Sequence, residues 1–346
     1  MSGKNTFEDI ARIAGVGIAT VDRVLNERGG VSEKTAEKVL QAARQLKSKR
    51  ILPTSHHKML RIEILLARPE LPLIERINRE FGRQAERIDK SVVIQRTTMK
   101  SDNPKVVARA IRETTCNAVV IFTQAHPLIH DAIEQASQRG VAVITIFSDL
   151  PDSRRLAYAG TDHYSAGRTA GYFMARMVRE RGPIVVLCYH FGFLGHKQRV
   201  NGFRDALALY APKLEISDII EGGDNSATSE RLLVKCFRSH HNVAGLYNVG
   251  APNDACGAAL RRGQFKTKPI FVGYELTDHS RAMLLDGTMD LVIDQNPEHQ
   301  AHFALDVVMH HFGYTEPGWL EVPYRSNYSF RLYTPENIMN STTAID

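Results

Sequence analysis

The stretch Thr6-Phe-Glu-Asp-Ile-Ala-Arg-Ile-Ala-Gly-Val-Gly-Ile-Ala-Thr-Val-Asp-Arg-Val-Leu-Asn26 decides the fold of the N-terminal part of this chain. Thr6, with the acid Asp9 three residues later, is a helix start signal. Apolar residues then recur at helical spacing and form one face until Gly15 ends the helix. A second helix is predicted from Ile18 to about Asn26, with its valines and leucine turned inward.

A third helix is predicted after the break at Gly29 and Gly30. Ser32 is placed to cap it, and its apolar residues again share one face: Ala36, Val39, Leu40, Ala43 and Leu46. Three short helices with a tight turn between the first two predict a helix-turn-helix. The second helix of such a unit enters the major groove of DNA by its N-terminal residues. The alternative is a small helical bundle of another kind.

The outward positions of the second helix are the candidate DNA contacts. Arg23 and Asn26 carry donors for phosphates or base edges, whereas Ile18 and Ala19 offer apolar contacts. Asp22 is an acid on a surface that faces a polyanion, so we expect it to read a cytosine amino group, to act as a cap or to orient Arg23. The predicted DNA-binding residues are Thr6, Gly17, Ile18, Ala19, Thr20, Asp22, Arg23, Asn26, Ser32 and Leu52.

This stretch resembles the headpiece of the lactose-repressor (LacI/GalR) family, and the resemblance continues through Val31-Ser-Glu-Lys-Thr35 to Leu46. Gly17 and Asp22 stand where the family usually has serines, so we expect an operator sequence that differs from the family's usual one. The family's hinge helix is not recognisable in the linker, residues 51–59. Leu52 is a candidate minor-groove wedge there. The alternative is a flexible basic tether that contacts phosphates.

Charge and composition agree with a DNA partner. The 346 residues carry a formal net charge of +6, and residues 1–60 hold eleven lysines and arginines against six acids. A cationic module beside a near-neutral body suggests a polyanion partner for that module. No apolar run is long enough to span a membrane, and the N-terminus lacks the order of a secretory signal. We therefore expect a cytoplasmic protein whose four dispersed cysteines are free thiols.

From residue 60 onward, apolar runs alternate with amphipathic stretches. Strands are predicted at 60–66, 92–96, 118–122, 141–147, 184–188, 216–220, 243–247, 270–273 and 290–293, and helices between them at 73–88, 104–112, 165–178 and 199–209. This alternation predicts an α/β fold with parallel sheets covered by helices. Ligands of such sheets bind at the carboxyl ends of the strands.

The order of these elements resembles the type I periplasmic-binding-protein fold, in which two α/β lobes face each other across a cleft. The segments that carry the resemblance are Gly160-Thr-Asp-His-Tyr-Ser-Ala-Gly167, Arg199-Val-Asn-Gly-Phe203, Val272-Gly-Tyr-Glu275 and Asp294-Gln-Asn296. The resemblance implies a headpiece of residues 1–50, an N-lobe of 60–161 and 294–321, and a C-lobe of 162–293 and 322–346. The chain is expected to cross between the lobes near 160–162, 294–296 and 322–324.

The resemblance also implies a site for a small sugar-like effector. A sugar site needs planar polar groups for hydroxyls and apolar surfaces for the ring faces. The family's cleft arginine falls on Arg199, its strand-end acid on Glu275 and its crossover glutamine on Gln295. Either Asn248 or Asn253 fits its asparagine. The predicted ligand-binding residues are Leu71, Leu73, Ser148, Asp149, Arg199, Asn248, Asn253, Tyr274, Glu275 and Gln295.

Each of these polar residues also has a structural interpretation. Arg199 would pair with a surface acid, Glu275 would cap the next helix, and Gln295 would satisfy backbone groups at the crossover. The first predicted strand–helix loop, residues 68–74, has no aromatic residue. Stacking is therefore expected from elsewhere, and the candidates are Tyr189, Phe191, Phe193 and Tyr274.

Catalytic motifs are missing from the sequence. There is no GxGxxG that opens a helix, no P-loop, no GxSxG and no HExxH. We expect no cofactor and no metal, because the histidines at 299, 302, 310 and 311 have no suitable partners for a metal site. The prediction is a regulator that binds double-stranded operator DNA as a homodimer, with a tetramer as the alternative assembly. The alternatives are a solute-binding protein and a sugar-metabolising α/β enzyme.

Overall fold

The computed structural model describes residues 7–26, 28–46, 59–223, 225–240, 242–250, 252–315, 320, 323–324 and 330–338. These residues fall into two units, a small one that ends near Leu60 and a large one that holds nearly all the rest. Thr6, Leu52, most of the linker 51–59 and part of the predicted crossing at 322–324 lie outside the described residues.

The small unit is a three-helix bundle. Its helices are α1 (Phe7–Ala14), α2 (Ile18–Leu25) and α3 (Glu33–Gln45). Their apolar faces close on one core of Ile10, Ala11, Ala14, Val21, Val24, Leu25, Ala36, Val39, Leu40, Ala42 and Ala43. Gly15 has a φ of 65°, the left-handed conformation that ends a helix at little cost for glycine. The Ser32 hydroxyl accepts a hydrogen bond from the Thr35 backbone N–H at 3.3 Å, so it caps α3 as predicted.

The large unit contains two lobes, each built on one sheet. The strands are β1 (Leu60–Ala67), β2 (Val92–Met99), β3 (Ala118–Ile121), β4 (Ala142–Ile146), β5 (Ala157–Ala159), β6 (Ile184–Cys188), β7 (Ile216–Glu221), β8 (Gly245–Asn248), β9 (Ile270–Tyr274), β10 (Leu291–Asp294) and β11 (Arg331–Tyr333). The first sheet has the order β2-β1-β3-β4-β5 and the second the order β11-β10-β9-β8-β6-β7. In the first sheet, β1, β3, β4 and β5 are parallel neighbours. In the second sheet, β10, β9, β8, β6 and β7 are parallel neighbours, and β11 is antiparallel to β10.

Helices cover both sheets, and three passages of the chain join the lobes. The helices are α4 (Pro72–Arg87), α5 (Pro104–Glu113), α6 (Pro127–Gln138), α7 (His163–Met177), α8 (Leu194–Tyr210), α9 (Ser226–Ser239), α10 (Asn253–Arg262), α11 (Asp278–Leu285), α12 (Pro297–His311) and α13 (Pro335–Ile338). α12 packs on α4, β4 and β5, whereas α7 packs on α8 and β9. The chain therefore leaves the first lobe after β5, returns after β10, and leaves again before β11.

The two-lobed α/β fold with parallel sheets is confirmed. Every predicted strand is present, with ends within three residues of the prediction, but the short strands β5 and β11 were not predicted. Two of the predicted helices begin earlier than expected, α7 at His163 and α8 at Leu194. The Asp162 side chain accepts a hydrogen bond from the Ser165 backbone N–H at 2.9 Å, so Asp162 caps α7.

α7 and α8 approach each other backbone to backbone because glycines face the contact. A Cβ atom on Gly167 would lie 2.1 Å from the Arg199 carbonyl oxygen, and one on Gly202 would lie 2.1 Å from that of Tyr164. No side-chain movement relieves a clash with backbone atoms. This close approach fixes Arg199 on α8 against His163 at the start of α7.

We expect Gly202→Ala to lower the free energy of unfolding by about 1–3 kcal/mol, because α7 and α8 must separate to admit the methyl group. Urea unfolding of the purified chain measures this. The matched control is Asn201→Ala on the exposed face of the same helix, which should change stability by less than about 0.5 kcal/mol. Equal stability of the two variants would contradict the close packing.

Candidate functional site

A cavity of about 380 Å³ lies between the two lobes at the carboxyl ends of their strands. The first lobe contributes the loops that follow β1, β3 and β4. The second lobe contributes the ends of β6, β8 and β9 and the first turns of α8 and α10. Of the predicted ligand-binding residues, eight line the cavity: Leu71, Leu73, Ser148, Arg199, Asn253, Tyr274, Glu275 and Gln295.

Arg199 is a buried cation without a counter-ion. Arg199 is 3% exposed, and its guanidinium carbon lies 3.8 Å from the centroid of the Tyr274 ring. Nε donates to Nδ1 of His163 at 3.1 Å, and Nη1 donates to the Val249 carbonyl oxygen at 2.6 Å. Among the described residues, no carboxylate forms an ion pair with it. The alternative of a surface ion pair therefore does not hold, and the charge remains available to an acceptor in the cavity.

The histidines around Arg199 are neutral. Burial and then the Arg199 charge lower the pKa of His163 well below its usual value, and the same two causes lower the pKa of His196 to about 3. His196 lines the cavity, and its buried Nδ1 has no hydrogen-bond partner. The described cavity wall thus offers a deeply buried permanent cation beside uncharged imidazoles, an arrangement suited to ligand oxygens of low charge.

Glu275 and Gln295 form a second polar group in the cavity wall. The Gln295 side-chain amide donates to Oε1 of Glu275, while Oε2 of Glu275 and Oε1 of Gln295 are buried without a partner. Helix α11 is capped instead by Thr277, with Ser280 completing the capping box, so Glu275 is not its cap. Buried polar atoms without partners are rare in proteins, and here two lie side by side on cavity-lining residues.

The Glu275 carboxyl is easily protonated. Burial, followed by the nearby Asp294 charge, raises the pKa of Glu275 from 4.5 to about 7. A raised carboxyl pKa means that the charged form is disfavoured in the folded chain. The protonated Glu275 carboxyl therefore favours the folded chain over the unfolded one. This stabilisation is complete below pH 4.5 and is lost as the pH rises through the folded-state pKa of about 7.

Glu275→Gln should therefore stabilise the ligand-free chain at pH 8 by about 2–3 kcal/mol and have no such effect near pH 4.5. The glutamine keeps an acceptor oxygen for Gln295 but has no charge to bury. Urea unfolding at both pH values measures the difference. Glu113→Gln, at an exposed surface ion pair, should change stability by less than about 0.5 kcal/mol at either pH. An effect of Glu275→Gln that is the same at both pH values would refute the raised pKa of Glu275.

Strained backbone positions cluster at this cavity. Among the described non-glycine residues, the left-handed ones are Arg68, Phe147, Glu275 and Asn296, with φ between 54° and 67°. They follow the ends of β1, β4, β9 and β10 respectively, and three of them line the cavity. Such conformations cost on the order of 1–3 kcal/mol each and concentrate at binding sites. They turn the side chains at the strand ends into the cavity wall.

Two predicted ligand-binding residues do not line the cavity. The Asp149 carboxylate is bound by Arg155, with Nη2 at 2.7 Å from Oδ2, and by the Leu150 backbone N–H. Asn248 donates from Nδ2 to Oδ1 of Asn253 at 2.6 Å, and Asn253 donates in turn to the Tyr274 carbonyl oxygen at 2.7 Å. Asp149 thus fixes its own loop, and Asn248 orients Asn253, which is the asparagine at the cavity.

Aromatic rings form the apolar part of the wall. Tyr189, Phe193 and Tyr274 line the cavity as expected of stacking residues, whereas Phe191 does not. The prediction missed Phe122 and Phe147, although both directly follow buried strands. Phe122 stacks on Phe193 with ring centroids 5.0 Å apart, so one ring from each lobe meets there.

Direct contacts bridge the lobes beside the cavity. The Tyr189 hydroxyl donates to Oδ2 of Asp102 at 2.6 Å, and the Arg68 guanidinium lies 5.0 Å from the centroid of the Tyr189 ring. The Gly195 backbone N–H donates to Oγ of Ser148 at 3.3 Å. These contacts enclose the cavity with groups from both lobes, so a ligand inside contacts both at once.

The N-terminal unit presents the first turn of α2 to solvent. Gly17, Ile18, Ala19 and Arg23 are exposed, and Thr20, Asp22, Asn26 and Ser32 are partly or fully exposed. Gly17 offers no side chain to cap the helix. Free N–H groups at a helix start bind phosphate. The exposed Arg23 makes no ion pair within the described part of the unit.

Asp22 does not orient Arg23. Its Oδ1 accepts from Nδ2 of Asn26 at 2.6 Å, and its Oδ2 accepts from Nη1 of Arg28 at 2.7 Å. The acid therefore holds Asn26 and Arg28, the latter beyond the end of α2. A substitution at Asp22 would release a donor pair rather than reposition the exposed arginine.

Comparisons with known proteins agree with both units. Residues 6–48 match the model of the lacI family of bacterial regulatory proteins, and residues 74–314 match a periplasmic binding protein domain. The transcriptional regulator MalR of Clostridium butyricum is 22% identical over 296 residues, 80% of this chain and 84% of that protein. The ribose operon repressor of Halalkalibacterium halodurans is 28% identical over 125 residues, 35% of this chain and 38% of that protein.

A solved structure shows the same fold for the large unit. It is the solute binding protein from Burkholderia graminis in complex with D-arabinose, with a TM-score of 0.73 and 19% sequence identity, covering 84% of this chain and 99% of that one. Across the described residues, no helix combines the length and apolar character that crossing a bilayer requires. All four cysteines are free, as the sequence predicts.

Proposed function

Because this chain belongs to the lacI family of bacterial regulatory proteins and contains a periplasmic binding protein domain, we propose that it is a transcription regulator controlled by a small sugar-like effector. The observation that carries the proposal is the polar set in the cavity wall. A buried arginine without a counter-ion stands with two unpartnered oxygens, on Glu275 and Gln295. A polyhydroxyl ligand supplies both the acceptors and the donors that these groups lack.

The effector is a sugar or polyol. Arg199 donates to ligand oxygens, the oxygens of Glu275 and Gln295 accept from its hydroxyls, and Asn253 adds a side-chain amide. The rings of Phe193, Tyr274 and their neighbours cover the C–H faces of the ligand. The repressors of ribose and sucrose operons among the relatives and the D-arabinose complex are consistent with this class.

The operator site is the exposed start of α2. Gly17, Ile18, Ala19 and Arg23 enter the major groove, with Thr20 and Asn26 at its edge and Thr6 and Ser32 near the phosphates. A homodimer doubles the few contacts that one headpiece makes and matches a pseudo-palindromic operator. Since the effector touches both lobes, it favours one angle between them. This changes the free energy of operator binding by about 1–3 kcal/mol.

Neither alternative accounts for both units. A solute-binding protein has no use for the lacI-type unit with its exposed arginine. An enzyme has no use for the N-terminal unit, and catalysis does not require the buried polar atoms without partners in the cavity wall. We propose that the chain binds its effector without turnover and acts in the cytoplasm, where operator DNA is found.

The deciding experiment combines two measurements on the full chain. A thermal-shift screen of sugars, polyols and sugar phosphates identifies the effector, and selection of genomic duplex fragments identifies the operator. The identified effector should change operator affinity about 5–150-fold. Conversion of the effector into product would support the enzyme alternative. Effector binding with no retention of any duplex at low salt would support the solute-binding alternative.

A further inference from the structure

Three metal-binding side chains converge on the outer edge of the second lobe, away from the cavity. Asp218 lies on β7, Cys236 lies in the last turn of α9, and His240 follows that helix as its C-cap. One ligand atom from each residue lies within 4.8 Å of the other two. Oδ2 of Asp218 is 3.6 Å from Sγ of Cys236 and 3.0 Å from Nε2 of His240.

A β-bulge places Asp218 on the side of the sheet that α9 covers. Ile184 pairs with Ile216 but Val185 pairs with Asp218, so Ser217 is an extra residue on the edge strand β7. Ile216 packs in the core under α7 and α8, and strict alternation would put Asp218 on that same face. The bulge reverses the alternation and turns Asp218 toward α9, as bulges do where a side chain must be redirected.

Helix geometry supplies the other two ligands. Cys236 and His240 are four residues apart at the end of α9 and so lie on one face, one above the other. The side chains of Asp218 and His240 are 39% and 35% exposed, which leaves the group open to solvent. Cys116, Cys188 and Cys256 are buried, whereas Cys236 is only partly so.

We propose that Asp218, Cys236 and His240 bind a divalent ion of the zinc class. A thiolate sulfur, an imidazole nitrogen and a carboxylate oxygen are the donors that Zn²⁺ prefers, and three protein ligands leave a fourth position for water. The ion joins the edge strand β7 to the C-terminal end of α9. It therefore stabilises the folded chain, by an amount that rises with the logarithm of its free concentration above the dissociation constant.

Binding exchanges a proton for the ion. Without metal the thiol keeps its proton, because burial and the Asp218 charge raise the pKa of Cys236 to about 12. The divalent charge reverses this preference, and the Sγ–H proton passes to solvent as the sulfur–metal bond forms. His240 binds through Nε2, and the 3.0 Å contact between this nitrogen and Oδ2 of Asp218 is replaced by coordination of both residues to the same ion.

The test uses the full reduced chain, stripped of metal and titrated with Co²⁺ and then Zn²⁺. We expect one equivalent of Co²⁺ to give a sulfur-to-cobalt charge-transfer band with tetrahedral visible bands, and Zn²⁺ to displace it. Cys236→Ser should lose the charge-transfer band. Asp218→Asn and His240→Gln should each weaken Zn²⁺ binding by about 100-fold or more, since each removes a ligand, and even loss of a residue that only supports a ligand costs about 10–100-fold.

His299→Gln is the matched control, because His299 is an exposed histidine outside this group, with its ring centroid 6.5 Å from that of His302. It should leave the cobalt spectrum and the Zn²⁺ affinity unchanged. Urea unfolding of each metal-free variant verifies that it folds. The proposal is overturned if the wild-type chain gives no charge-transfer band, or if all the variants bind Zn²⁺ with wild-type affinity. Both results are independent of effector and DNA binding.

Discussion

Arg199→Ala abolishes the effector response while operator binding persists. The substitution removes the cavity's charged donor, and a hydrogen bond to a charged group contributes about 1.5–3 kcal/mol. Among the described residues that line the cavity, Arg199 is the more deeply buried of two arginines, so the affinity for the effector should fall about 100-fold. Isothermal titration with the effector identified by the thermal-shift screen measures the loss. Fluorescence anisotropy with labelled operator should show nearly the effector-free affinity at effector concentrations around the wild-type dissociation constant.

Arg199 also supports the fold, so the variant needs a matched control. Its loss leaves Nδ1 of His163 and the Val249 carbonyl oxygen without their donor. Arg155→Ala removes another partly buried arginine, one that binds Asp149 outside the cavity. Arg155→Ala should lower stability yet keep effector binding. If both variants lost effector binding equally, or if Arg199→Ala kept it, Arg199 would not be a ligand residue.

The sequence predicts the site well where one rule of topology applies. Strand ends of parallel sheets meet at one edge, so Ser148, Tyr274 and Glu275 are placed at the cavity by their position alone. The same rule points to Phe122 and Phe147, which the prediction overlooked. The helices of the N-terminal unit are local structures with strong start and stop signals, and they form where the periodicity predicts them.

The features that the sequence did not predict are contacts that depend on the geometry of loops and on pairing with distant strands. The sequence pattern does not predict that Arg155, six residues after Asp149, binds the Asp149 carboxylate. β11 is three residues long and pairs with β10 from more than thirty residues away, so its local signal is weak. The bulge at Ser217 depends on pairing with β6, and without it Asp218 is not expected near Cys236.

Arg23→Ala should weaken operator binding more than any of the other substitutions does. Arg23 is exposed in the last turn of α2, and an arginine contact to a base contributes about 1–3 kcal/mol. A dimer loses this contact in both half-sites, so the expected decrease is about 100-fold or more. Effector binding should be unchanged, because Arg23 belongs to a different structural unit from the cavity.

The salt dependence of operator binding distinguishes the two roles open to Arg23. Loss of a phosphate contact lowers the salt slope by about 1 per headpiece and weakens all sequences alike, whereas loss of a base contact relaxes specificity at one position of each half-site. Arg12→Ala is the matched control, since Arg12 is also exposed but lies on α1 and pairs with Asp9. Because the groove is entered by α2, Arg12→Ala should reduce affinity far less. A larger loss for Arg12→Ala than for Arg23→Ala would mean that α1, and not α2, faces the DNA.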